Sequence, residues 1–422
     1  MAKTYDTYKD SGIAWIGEIP GEWRVGLVGK YFKEINNPNI NQEETNTLQF
    51  KMGEIISKSK GDSKYSPETI EAYNVVEPGT IMINGLNLSF DLISQRVAQV
   101  RERGAITSTY LAIWPTNGMK SDYAKYLLKA YDNNKALHAM GRGLRATLSY
   151  RTFRSEPILI PTAEEQQSIS SFLDTKCGKI DSLISIQEEM ISELLAYKQS
   201  VITEAVTKGL DKKAKMKNSG VEWIGDIPEE WKVCSIKYQI KFINGFAFDS
   251  NCFQQKGEMP VFRIGDIIED KISYEANVYV NKQNALNNYE VHKGDILLAM
   301  SGATTGKVGI VKEQIGYINQ RVGIIRSNIQ PWIFYNLKTN IFSEYILLKA
   351  IGSAQPNIST ENLKNYKIPL PPLPVQQAIA TYLDEKTTQI DSLIALKQSK
   401  IESLKEYKKS IIYEYVTGKK RV

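Results

Sequence analysis

The segment Gly302-Ala303-Thr304-Thr305-Gly306-Lys307-Val308 has the residue types that cradle phosphates: glycines for a tight backbone and a lysine for charge. It is one residue short between its glycines, and Val308 stands where Ser or Thr would hold magnesium, so a nucleotide-hydrolysing loop is not expected. Asn37-Pro38-Asn39-Ile40 lacks the second proline and the aromatic of an amino-methyltransferase loop. Glu230-Trp231-Lys232 has the carboxylate–lysine spacing of a nuclease but belongs to a repeated framework motif. His138 and His292 stand alone, and Cys177, Cys234 and Cys252 are far apart. Neither a metal set, a nucleophile–base pair nor a disulfide framework is expected from them. The sequence assigns no catalytic residue, no metal and no cofactor.

What remains is hydrogen-bonding chemistry. Ser301, Thr304, Thr305, Lys307, Asn319, Gln320 and Arg321 lie in segments between short apolar runs, Val261–Ile264, Asp295–Ala299 and Val322–Ile325, the first of which contains Arg263. Such side chains bond base edges and phosphates, and loops on a rigid sheet suit a recognition surface. Earlier in the chain, Arg96, Arg101 and Arg103 cluster, and Arg142 and Arg145 sit among glycines, where an arginine can grip guanine or phosphate. For any one of these arginines, plain surface charge is the simpler reading. The net charge of +6 hints at a polyanionic partner without establishing one.

The elements that would position these residues are repeated. Residues 8–25 and 216–233 are identical at 11 of 18 positions, sharing Ser-Gly, Trp-Ile-Gly, Ile-Pro and a final Trp. Residues 158–208 and 368–418 are identical at 22 of 51 positions without a gap. The stretches between, 26–157 and 234–367, are similar in length and differ in content. A duplicated frame around divergent inserts suggests one scaffold presenting two recognition surfaces.

The second repeat has the apolar period of a long helix. Ile180, Leu183, Ile184, Ile191 and Leu194 form its stripe in the first copy, and Ile390, Leu393, Ile394, Ile401 and Leu404 in the second. Each helix should run about 45 residues, roughly 65 Å. A stripe that long cannot be buried within one small domain, so the two are expected to pair antiparallel as a coiled coil. With 42% hydrophobic and 24% charged residues the composition is globular, and no apolar run reaches the length of a membrane span or forms a secretory leader. A cytoplasmic protein with reduced cysteines is expected.

The order of parts resembles the specificity subunits of type I restriction–modification enzymes over essentially the whole chain. The resemblance is carried by Ser11 to Pro20 with Trp23, and by Ser219 to Pro228 with Trp231. It is carried further by Ile158 to Pro161 with Gln166-Gln167, and Ile368 to Pro372 with Gln376-Gln377. Asn244-Gly245-Phe246-Ala247-Phe248 and Arg263-Ile264-Gly265-Asp266-Ile267 look like a common form of the family's recognition domains. The first variable domain lacks both pieces, and the first helix begins with Thr162-Ala163-Glu164-Glu165 in place of a proline-leucine pattern.

The resemblance implies an α+β protein. Two globular α/β target recognition domains are joined by two long antiparallel coiled-coil helices, in a pseudo-two-fold internal repeat. The implied boundaries are 1–25 (framework motif), 26–157 (first recognition domain), 158–210 (central helix), 211–233 (linker and second motif), 234–367 (second recognition domain) and 368–422 (C-terminal helix). It implies a non-catalytic subunit that binds double-stranded DNA at a bipartite target and docks two methyltransferase subunits and restriction subunits. Three other readings compete: the equivalent subunit of a system whose methylation and cleavage share one polypeptide, a helical scaffold that never touches DNA, and an unrecognised methyltransferase.

Overall fold

The computed structural model describes residues 4–58, 70–141, 146–268, 271–274, 278–312, 316–350 and 357–422. The chain forms two compact units, residues 1–188 with 398–422, and residues 189–397. Among the described residues no helix is long and apolar enough to cross a membrane.

Each framework motif is a small antiparallel ladder whose glycines are dictated by backbone geometry. Tyr8–Asp10 pairs with Glu18–Pro20 in the first unit, and Met216–Asn218 with Asp226–Pro228 in the second. The connecting loops turn through left-handed residues, Gly12 (φ 71°) and Gly17 (φ 70°), then Gly220 (φ 70°) and Gly225 (φ 71°). Glycine takes that conformation most readily because it has no Cβ, which explains the repeated Gly of the sequence. Asp10 and Asn218 close the turns by accepting from the amides of Gly12 and Gly220, both near 3.0 Å (3.0 and 2.9 Å).

Within the first unit, β1 (Phe32–Glu34), β2 (Ile81–Ile83), β3 (Val97–Gln99) and β4 (Leu111–Pro115) form an antiparallel sheet in the order β1-β4-β2-β3. Helix α1 (Ser121–Asn133) buries Tyr123, Ala124, Leu127, Leu128 and Tyr131 in the core of this unit. Arg24–Leu27 pairs with Pro157–Ile160, so the chain enters and leaves side by side and runs directly into helix α2 (Ala163–Lys208).

The second unit repeats the plan with β5 (Lys241–Asn244), β6 (Met259–Phe262), β7 (Ile296–Ala299), β8 (Val308–Ile310), β9 (Gly316–Ile318) and β10 (Val322–Arg326). Its sheet β5-β10-β7-β8 has the same strand order, and a second sheet contains the parallel pair β6 and β9. Lys232–Ser235 pairs with Lys367–Leu370 ahead of the last long helix, which we call α4 after the short helix α3 (Gln330–Leu337); α4 spans Leu373–Val416.

The two long helices are antiparallel. In the first unit Phe172 packs on Tyr415 and Asp181 binds Lys408 at 2.6 Å; in the second Lys198 binds Asp391 at 2.8 Å. The partner numbers of both ion pairs total 589, so one register holds in each unit. These pairs are also copies of one another, because Asp391 and Lys408 lie 210 residues after Asp181 and Lys198. At partly exposed sites such pairs contribute about 0–1 kcal/mol each, and their weight lies in fixing register.

The seam is narrower than the apolar stripe of the sequence. It follows strict four-three spacing through Leu173, Cys177, Ile180, Ile184, Gln187, Ile191, Leu194 and Lys198, and through Leu383, Thr387, Ile390, Ile394, Lys397, Ile401, Leu404 and Lys408, all buried or half-buried. Leu183 and Leu393, expected in the stripe, are each 47% exposed. They flank the seam one position before Ile184 and Ile394, where a coiled coil leaves side chains at its edge.

Each framework motif covers a helix end. In the second unit Trp231, Ile224 and Ile227 pack on Ile202, Ala205 and Val206 of α2, which immediately precedes the motif. In the first unit the N-terminal motif covers the end of α4: Tyr413 donates to the Trp15 carbonyl at 3.2 Å, and a Cβ on Gly418 would strike Pro20. Reversing one ion pair by Lys198→Glu should lower Tm by about 1–3 °C, and adding Asp391→Lys should restore it. Thermal unfolding followed by circular dichroism checks this; no recovery in the double variant would mean that the pair does not set the register.

Candidate nucleic-acid interface

In the second unit four separate segments converge on one rim. β6 runs into Arg263 and the 3-10 turn Ile264–Asp266; β7 runs into Met300, Ser301 and the turn Gly302–Thr304; β9 runs through Asn319–Arg321 into β10; and β5 leads into Gly245-Phe246. Backbone bonds tie them together. The Asn319 amide donates to the Phe262 carbonyl (2.9 Å), the Met300 amide to Arg321 (2.9 Å), the Phe246 amide to Ile318 (3.1 Å), and the Thr304 hydroxyl to Ile264 (3.4 Å). A Cβ on Gly245 would overlap the Asn319 carbonyl, so glycine is required where the chains cross. Beneath, Phe246 packs on Phe248 (5.0 Å between centroids) and Phe248 on Tyr317 (6.1 Å), which anchors the first loop.

The convergence separates the expected residues by role. Lys307, Gln320 and Arg321 are exposed, Asn319 is half-buried, and Arg263 is 39% exposed beside Asp266. The Asp266 carboxylate accepts the Arg263 amide at 2.7 Å, and burial pushes its pKa up against that bond. Ser301 is buried, and the Thr304 and Thr305 hydroxyls donate to backbone carbonyls, Thr305 to Gly302 at 2.6 Å. These three shape the loop, while Arg263, Lys307, Gln320 and Arg321 stand at its surface. Gly302 (φ 81°) and Gly306 (φ 87°) turn the loop through the left-handed region.

The first unit corrects one expectation outright. Arg96 is 1% exposed and does not face solvent. Its guanidinium donates to the carbonyls of Asn84 (3.0 Å), Leu86 (2.7 Å) and Asp91 (2.7 Å), and its amide donates to Asp132 at 2.7 Å. Three carbonyls engage its two terminal nitrogens and the Asp132 carboxylate its amide, while its buried Nε has no hydrogen-bond partner, so Arg96 clamps the loop after β2 from inside. Asp91 in turn accepts from the amides of Ile93 (3.1 Å) and Ser94 (2.9 Å). Hydrogen bonds from Ser94 hold its pKa down, at about 2. Its stabilising contribution is complete above the ordinary aspartate range and is lost as pH falls through about 2. Arg103 is pinned by Glu44 (3.0 Å) and Glu77 (2.6 Å), whereas Arg101 is exposed on the adjoining turn. Arg142 and Arg145 lie outside the described residues.

Among the described residues no three His, Cys, Asp or Glu side chains are grouped to hold a metal ion. The three cysteines are free.

Residues 228–406 match the family described as the type I restriction modification DNA specificity domain. The type I restriction enzyme MjaVIII specificity subunit of Methanocaldococcus jannaschii is 28% identical over 96% of this chain and 94% of that protein. The putative MjaX specificity subunit of the same organism is 27% identical over 96% of both. Residues 228–406 thus carry that domain, and nearly the whole chain is similar to type I restriction–modification specificity subunits. A solved structure from work on complex assembly and conformational transition of the type I system has the same fold, with a TM-score of 0.70 at 15% identity, over 94% of this chain and 98% of that one. A specificity subunit is non-catalytic and works within a restriction–modification complex.

Arg96→Leu would take the arginine donor from the carbonyls of the half-buried Asn84 and Leu86, at up to about 1–3 kcal/mol each. Hydrogen–deuterium exchange should rise across residues 84–94 and stay unchanged in β7 to β10; protection that survives in 84–94 would mean that Arg96 is not the clamp.

Proposed function

We propose that this subunit reads a bipartite double-stranded DNA target in the cytoplasm, one half-site by residues 26–157 and the other by residues 234–367, while two methyltransferase subunits and restriction subunits dock on its helices. The convergence of Arg263, Lys307, Gln320 and Arg321 on one loop rim carries the DNA part of this reading. Guanidinium, ammonium and amide groups on a rigid sheet edge match the acceptors of phosphates and major-groove base edges. Apolar side chains outside the helix seam support the docking part: Leu195, Tyr197 and Leu396 are exposed in one unit, and Leu183, Ile186 and Tyr407 in the other.

Co-expression with the neighbouring methyltransferase subunit, followed by genome-wide mapping of methylated bases by single-molecule sequencing, tests the proposal. A split motif, two short specific halves around a fixed gap, is expected. Charge reversal of Arg263 and Arg321 together should weaken binding about tenfold or more through the second half-site. A stable complex that methylates no split motif would contradict the proposal.

A further inference from the structure

The loop clamped by Arg96 holds apolar side chains out in water. Phe90 is 78% exposed, Leu92 57% and Ile93 94%. Several of its backbone groups are nevertheless held by hydrogen bonds. Asn87 turns through φ 52°, and its carbonyl accepts from the amides of Phe90 (3.1 Å) and Asp91 (3.3 Å). Asp91 caps the amides of Ile93 and Ser94, Lys135 donates to the Leu92 carbonyl, and His138 meets the Asp91 carbonyl at 3.2 Å. Leu88 is buried beneath the loop, while Phe90, Leu92 and Ile93 stand in water beside the exposed Ser89 and Ser94. A preordered loop loses little conformational entropy when something covers it.

The position of the loop identifies its occupant. It leaves the end of β2, as the Ser301–Lys307 loop leaves the end of β7, and the two strands hold the same place in sheets of the same order. Both loops bond the segment ahead of a serine-capped helix: the Leu148 amide donates to Gly85 (2.9 Å) and the Ile358 amide to Met300 (2.8 Å), with Ser149 and Ser359 as the caps. The loop therefore stands on the rim that the DNA-reading function assigns to bases. There the second unit offers polar groups and the first offers hydrocarbon. The one apolar group on a major-groove base edge is the thymine C5-methyl.

We propose that Phe90, Leu92 and Ile93 form an apolar reading edge that contacts thymine methyl groups in the first half-site. This rests on the DNA-reading function above, and the test separates the two. The full chain, assembled with its methyltransferase partner, is titrated with duplexes in which each thymine of the mapped half-sites is replaced in turn by deoxyuridine, which removes only the methyl. At least one replacement in the first half-site should weaken binding about fourfold, the worth of burying one methyl group. A Phe90→Ser, Ile93→Ser variant should bind more weakly and lose that sensitivity, while replacements in the second half-site act alike on both proteins. Equal affinity of the wild-type complex for every thymine and uracil duplex would overturn the reading edge while leaving DNA reading intact, as would a first half-site with no A·T pair. Absence of any split motif would overturn both.

Discussion

A 46-residue helix with one apolar face cannot be satisfied by the unit that carries its start, and the rest of this molecule follows from that constraint. Its seam, spaced four and three from Leu173 to Lys198, needs a partner of similar length and matching period, and its own copy 210 residues on supplies one. Antiparallel pairing brings Asp181 to Lys408 and Lys198 to Asp391, so a duplication supplies both halves of each ion pair. The polar members of the seam limit slippage, since any other register would set lysines against isoleucines. Each framework motif then covers one helix end, and each pair of neck strands fixes how a recognition sheet continues into its helix.

On that frame the two sheets share an order and differ at their rims. In the second unit loop glycines allow four strand ends to cross within hydrogen-bonding distance, and the charged side chains stand outside the crossing. In the first unit a buried arginine does the ordering from inside, and the outer surface is left to Phe90, Leu92 and Ile93. One architecture thus supports two chemistries, because loop side chains can change while strand order and neck pairing stay fixed.

The frame was legible in the sequence because repetition and helical period are local and redundant. Trp23, Gly12 and Ile180 have counterparts in Trp231, Gly220 and Ile390, and each copy checks the other. The rims were less legible. Arg96 looked like its neighbours Arg101 and Arg103, and its burial depends on carbonyls at 84, 86 and 91 and a carboxylate at 132, which no spacing rule brings together. Leu183 and Leu393 were placed in the stripe on apolarity, although counting four-three steps through Gln187, Lys198, Lys397 and Lys408 would have put them outside it. The prong at 90–93 has no period and left no mark beyond apolar residues between Asn87 and Ser94, two turn formers.

The central claim, that the helix pair spaces two independent readers, is tested most directly by lengthening both helices in register. Seven residues inserted after Glu193 and seven after Ala395 preserve the four-three seam and add about 10 Å. Methylation mapping of this variant with its methyltransferase partner should return both half-site sequences unchanged, with the gap between them longer by about three base pairs. An unchanged gap, or loss of either half-site sequence, would contradict the account.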